Sequence, residues 1–231
     1  MGRIFVRGDI HGDIMPVIEF IHKFDLGEGD SILILGDCGI AWRNGKKDLE
    51  KNIELFENEC NGASLMFIAG NHENYDILNE YKATSRDENG MVHLSNHIIY
   101  LPNGEYMLNN RKVLVCGGAD SIDRAFRVEG LSWWADERVD KDFIMSIPAE
   151  THYDYVFTHC CPYSVFKDNS VYLIQIPGLD QSKIGHISEE YLDILKSRIT
   201  FDHWWFAHYH VNRSLSDGFR CLLDEVIEME K

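Results

Sequence analysis

A short apolar run, Arg3 to Val6, stands near the start of the chain and reads as a buried strand. Ile14, Val17, Ile18 and Ile21 then recur at helical spacing, which predicts a helix over Asp13 to Phe24. Ser31 to Leu35 reads as a second strand, Leu49, Ile53 and Phe56 mark a second amphipathic helix, and Ser64 to Ala69 reads as a third buried strand. Alternation of strand and helix is how a parallel sheet covers its faces, so this stretch reads as the βαβαβ half of an α/β protein. Past Gly90 the character changes. Met91 to Leu94, Ile98 to Leu101, Glu105 to Leu108 and Lys112 to Cys116 read as strands, with turns at Asn103-Gly104 and Asn109-Asn110. Strands over Tyr155 to Thr158, Trp204 to Ala207 and Phe219 to Leu223 follow. One helix, Ser188 to Ile199, carries Tyr191, Ile194, Leu195 and Ile199 on one face. No repeat, linker or low-complexity tract divides the chain. The expectation is one domain over residues 1–231, of α/β class, with two stacked mixed β-sheets flanked by helices.

Charge narrows the partners. Lys and Arg number 22 against 38 Asp and Glu, a net charge of −16, which argues against nonspecific binding to nucleic acid or anionic lipid. A local cationic site survives inside that field, because screening at physiological salt acts over about 8 Å. The six cysteines have no CxxC spacing, and Cys160 and Cys161 are adjacent, which suggests neither a zinc knuckle nor a disulfide framework. Met1 to Arg7 lacks a signal-peptide pattern, and the longest aliphatic run, Ile32 to Leu35, is too short to span a bilayer. Reduced thiols, a cytoplasmic location and no membrane partner are the expectation.

The candidate chemistry lies just past the strand ends. Asp9 and His11 follow the first strand, Asp37 the second, and Asn71 and His72 the third. His159 follows Tyr155 to Thr158, and His208 and His210 follow Trp204 to Ala207. In open α/β sheets ligands bind in the crevice beyond the carboxyl ends of the strands, so these residues can converge although the chain separates them widely.

Asp9-Ile10-His11, Gly36-Asp37, Gly70-Asn71-His72-Glu73, Thr158-His159 and His208-Tyr209-His210, in this order, resemble the calcineurin-like metallophosphoesterase family over essentially the whole chain. The resemblance implies an αββα sandwich. It also implies that Asp9, His11 and His210 hold one metal ion, that Asn71, His159 and His208 hold another, and that Asp37 bridges both. Physical chemistry is consistent with this, because two cations about 3.5 to 4 Å apart need a shared anion. A ligand set of His, Asp and Asn suits Mn, Fe or Zn better than Mg or a thiolate-seeking ion, and manganese is placed first. Two divalent ions, two carboxylates and one hydroxide sum to about +1, which welcomes a phosphate dianion within an acidic chain. The implied reaction is in-line attack of a metal-bridging hydroxide on phosphorus, with His72 as the general acid that protonates the departing oxygen.

The chain departs from the family at one place. Many relatives, the Ser/Thr phosphatases and dinucleoside tetraphosphatases among them, continue Gly-Asp-x-x-Asp-Arg-Gly, where the second Asp orients the acid and the Arg grips phosphate. Here the stretch reads Gly36-Asp37-Cys38-Gly39-Ile40-Ala41-Trp42-Arg43, with neither residue in register. Glu73 is the candidate substitute that orients His72. Arg43 and Arg124 are the candidate phosphate-binding cations, against the bland reading of solvated loop charges. The segment Gly117 to Arg127, followed by Trp133-Trp134, is where selectivity is expected, unless it is a structural loop closed by packed tryptophans. For Cys38 and Cys160, beside the ligands, inert buried thiols are favoured over a redox switch. The expected protein is a dimetal phosphatase or phosphodiesterase acting on a small-molecule, nucleotide or phosphoprotein ester. The rivals are a metal-bound pseudoenzyme that holds phosphorylated partners without turnover and a nuclease of the same fold, the latter disfavoured by charge.

Overall fold

A computed structural model describes residues 2–173 and 186–230. Its first sheet is built from β1 (Ile4–Arg7), β2 (Ser31–Ile34) and β3 (Ser64–Phe67), parallel and joined by α1 (Met15–Lys23) and α2 (Lys46–Glu59). After α3 (Tyr75–Thr84) come β4 (Val92–His93) and β5 (Ile98–Tyr100), and β5 pairs parallel to β3. The chain then builds a second sheet from β6 (Gly104–Leu108), β7 (Arg111–Cys116), β8 (Thr151–Thr158), β9 (Ile199–Phe206), β10 (Arg213–Ser214) and β11 (Phe219–Cys221). Helices α4 (Lys141–Ser146), α5 (Tyr163–Leu173) and α6 (Ile187–Arg198) belong to this half, and β12 (Ile227–Glu228) returns to pair antiparallel with β1. Among the described residues the strand orders are β12-β1-β2-β3-β5-β4 and β10-β11-β9-β8-β7-β6. Both sheets are mixed, as expected.

The period-2 alternation of the strands explains the layers. Val6, Leu33, Leu35, Met66 and Ile68 of the first sheet pack against Val113, Val115, Tyr155, Phe157, Trp205 and Ala207 of the second, forming the core between the sheets. The alternate residues face outward. Phe5, Ile32, Ile34, Leu65 and Phe67 meet Val17, Ile18 and Ile21 of α1 and Leu49 and Phe56 of α2. Leu114, Val156, Trp204 and Phe206 meet Ile144, Val165, Phe166, Leu192 and Leu195 of the helices on the far side. Helix, sheet, sheet and helix thus form four layers, and the strands read as continuous apolar runs because both faces of each sheet are covered.

Among the described residues, three α-helices and two short strands go beyond the sequence expectation. In α3 only Tyr75, Ile77 and Leu78 are buried, too few to give a helical period, although Asn74 caps it by accepting from Ile77 N at 3.1 Å. Strands β10 and β12 have two residues each and exist only through their partners. The turn at Asn109-Asn110 forms as expected, with φ of 51° and 61° in the two-residue connection of the β6–β7 hairpin. The one expected at Asn103-Gly104 differs: Gly104 opens β6, and Asn103 Oδ1 accepts from Gly117 N at 2.9 Å.

Candidate metal centre

The loops that leave the strand ends are tied to one another through their backbone groups, with the Asp9 carboxylate helping. The Asp37 carbonyl accepts from Ile10 N (3.1 Å) and His11 N (2.9 Å), and the Cys38 carbonyl accepts from Gly12 N at 2.8 Å. Across the sheets, Gly118 N donates to the Ala69 carbonyl (2.8 Å) and His208 N donates to Asp9 Oδ1 (3.1 Å). This packing forces His11, Asp37, His208 and His210 into the left-handed region, with φ between 48° and 67°. Such conformations cost roughly 1 to 3 kcal/mol for a residue with a side chain and persist where the surroundings over-determine them. At Gly70 a side chain is impossible, since a Cβ there would stand 2.2 Å from Asp37 Oδ1 and 2.8 Å from His159 Nε2.

All seven expected ligands are brought together. Asp9, His11 and His210 form one group whose ligand atoms lie within 4.8 Å of one another, and Asp9, Asp37 and His159 form a second. His210 Nε2 stands 3.0 Å from Asp9 Oδ2 and 3.1 Å from His11 Nε2. His159 Nε2 stands 3.3 Å from Asp37 Oδ1 and 3.2 Å from Asn71 Oδ1, and the His208 ring lies 5.0 Å from the His159 ring. Asp9, Asp37, Asn71 and His159 are buried, while His11 and His210 form the open rim.

His159 Nδ1 donates to the Leu35 carbonyl at 2.7 Å, which turns Nε2 inward toward two oxygens that only accept. Burial opposes charging His159, but Asp37 outweighs it and raises the imidazolium to about 9. Asp37 is held well below the ordinary carboxylate range, because His159, His72 and His11 overcome its burial. His208 is pushed down to about 3 by burial and by His159. Oxygens and ring nitrogens converging on a cationic space are a donor set that fits borderline divalent ions.

His72 sits beside this cluster, with Nε2 3.9 Å from Asp37 Oδ2 and its backbone N donating to Asp37 Oδ1 at 2.7 Å. Trp42 meets the ring edge-on, 4.1 Å between centroids. Arg127 Nη2 stands 3.1 Å from His72 Nε2. A guanidinium only donates, so Nε2 accepts and the ring is neutral. Burial, with Arg127 adding to it, lowers His72 to about 4 against the opposing pull of Asp37.

Two expectations need correction. Glu73 does not reach the His72 ring: its oxygens accept from Cys38 N (2.8 Å) and Gly39 N (3.1 Å), bracing the turn that follows Asp37. His72 Nδ1 has no hydrogen-bond partner among the described residues. Nor, among the described residues, does any hydrogen bond or ion pair join Arg43 or Arg124 to the cluster. Arg43 is exposed against Trp42, and Arg124 is exposed on Trp133, 3.9 Å above its ring, beside a cavity of about 80 Å³ that Asp120, Glu137 and Arg138 also line. The arginine that arrives is Arg127, from the same Arg- and aromatic-rich segment, held by Asp123 at 2.7 Å. Trp133 and Trp134 are buried packing residues, and all six thiols are buried and unpaired, with Cys38 and Cys160 pushed up by burial.

No helix among the described residues is long and apolar enough to cross a membrane. A search among curated proteins finds no match. The family model described as calcineurin-like phosphoesterase matches residues 2–212, a span that includes every residue of the cluster. The strand-end loops and the donor groups they carry therefore have a family context, and the chain belongs to the calcineurin-like phosphoesterases.

Proposed function

We propose that this protein is a dimetal phosphoesterase that hydrolyses a phosphomonoester or phosphodiester. The observation that carries the reading is Asp37, a buried carboxylate within ligand distance of both His159 and His11 and so suited to bridging two ions. Asp9, His11 and His210 would hold one ion, and Asn71, His159 and His208 the other, with Mn, Fe or Zn the fitting metals. When bound, such ions supply positive charge for the phosphate and lower the pKa of the attacking water.

The chain's own residues divide the remaining work. Arg127, whose Nη2 lies beside His72, would donate to a phosphoryl oxygen from its guanidinium fork. Once Arg127 turns from His72 Nε2 to the phosphate, Nε2 would take up a proton from solvent water and pass it to the departing oxygen, which returns the ring to its neutral form. Trp42 packs against the His72 ring and limits its rotation, the part that an acidic orienting partner plays in many relatives. The half-open rim at His11 and His210 admits an ester larger than the phosphate itself.

The test is a panel of nitrophenyl phosphate, bis-nitrophenyl phosphate, cyclic nucleotides, dinucleoside polyphosphates and phosphopeptides, assayed with manganese. Turnover of at least one class that vanishes on chelation and in Asp37→Asn is the expected result. A metal-loaded protein that binds these esters but turns none over would favour the reading as a binding protein and overturn this one.

A further inference from the structure

An Asn side chain that serves a metal must present its oxygen, yet its amide is nearly symmetric in shape and can be turned either way. In this fold the choice is made behind Asn71. Asn71 Nδ2 donates to Ser121 Oγ at 3.2 Å, Ser121 Oγ donates to Glu137 Oε2 at 2.9 Å, and Ser121 N donates to Glu137 Oε1 at 2.9 Å. All three side chains are buried, with exposures of 4%, 7% and 3%.

The direction of this chain is dictated from its far end. Above pH 7, where metal binding is tested, the Glu137 carboxylate is ionised and only accepts, so it takes both protons that Ser121 has to give. The Ser121 oxygen is then left to accept, and among the described residues the donor recorded against it is the NH2 of Asn71. Asn71 Oδ1 is thereby aimed at the His159 side of the cluster, 3.2 Å from Nε2. We propose that Glu137 and Ser121 are positioning residues that set the orientation of the Asn71 amide and so build one of the two ion sites. This rests on the dimetal reading above, and it gives the segment between β7 and α4 a second task beyond supplying Arg127. The turn bearing Glu137 is itself fixed, since its carbonyl accepts from Ala119 N at 2.8 Å. Partners behind a metal ligand typically change metal affinity by about 10- to 100-fold when removed.

Glu137→Gln is the decisive variant because it keeps the shape and reverses the polarity. A Gln can donate to Ser121 Oγ, which frees the hydroxyl proton for Asn71 and lets the amide turn its NH2 toward the ions. Mn(II) titration by calorimetry, with spin-coupled and isolated Mn(II) distinguished by electron paramagnetic resonance, reads the result without any assay of activity. Wild type should bind two ions as a coupled pair. Glu137→Gln and Ser121→Ala should retain one ion at wild-type affinity and bind the other about 10- to 100-fold more weakly. Circular dichroism of the chelated proteins should match wild type. Two ions bound at wild-type affinity by both variants overturn the proposal, and so does loss of both ions together with the fold. A wild type that binds fewer than two ions overturns the dimetal reading instead.

Discussion

Arg127 Nη2 and His72 Nε2 lie 3.1 Å apart, although 55 positions separate them and neither belongs to a strand or an α-helix. The contact places the only guanidinium recorded beside the proposed acid among the described residues. Arg127→Ala should cut kcat/KM by about 10- to 100-fold, the scale of a lost charge-assisted contact, whereas Arg43→Ala and Arg124→Ala should stay within about threefold of wild type. Steady-state kinetics of the three variants on one ester decides this, and an equal loss in all three would return phosphate binding to a diffuse field.

His72→Gln should keep both ions and lower turnover by roughly 10² to 10⁴ for esters with poor leaving groups. Nitrophenyl esters should suffer less, because nitrophenolate departs without a proton. Equal losses on alkyl and nitrophenyl esters would remove His72 from the acid role.

Asp37→Asn should weaken both ions, because the carboxylate is shared by both halves of the cluster and also accepts from His72 N. Gly70→Ala should do the same by a steric route, as its Cβ would collide with Asp37 and His159. Metal analysis after dialysis checks both, and a variant of either kind that retains two ions would contradict the bridging arrangement.

Glu73→Gln should behave as a stability variant, not as a copy of the His72 defect. Its carboxylate accepts two backbone N–H groups, and an amide would point an NH2 at one of them, leaving a buried donor without an acceptor at a cost of about 1 to 3 kcal/mol. Denaturant melts should show the loss while the pH profile of the folded enzyme keeps its shape.

Burial pushes Glu137 up to about 7, against the opposing hydrogen bonds from Ser121. Between the ordinary carboxylate range and pH 7 the folded chain therefore holds a proton that the unfolded chain has released, so stability falls as pH rises through that window. Thermal melts of the metal-free proteins from pH 5 to pH 8 should show wild type losing stability relative to Glu137→Gln, and parallel curves would contradict this.

The order of strands and helices in the first half, the residues that gather in the candidate cluster and the family were legible in the sequence because each is carried by local information. Ile32 to Leu35 is a continuous apolar run of strand length, Val17, Ile18 and Ile21 recur with the period of a helix, and Asp9, Asp37, Asn71 and His159 follow strand ends that can be recognised one at a time. The tertiary structure decided what long side chains touch. Glu73 stands beside His72 in the sequence, yet its carboxylate turns to Cys38 and Gly39, because those buried N–H groups need an acceptor and no strand neighbour provides one. Arg127 reaches His72 where Arg43 and Arg124 do not, and Glu137 finds Asn71 through Ser121, because loops closed by packed Trp133 and Trp134 bring those groups inward. A short pattern encodes which face of an element is buried, but a contact across 50 or more positions depends on how every intervening loop closes, and no local period carries that.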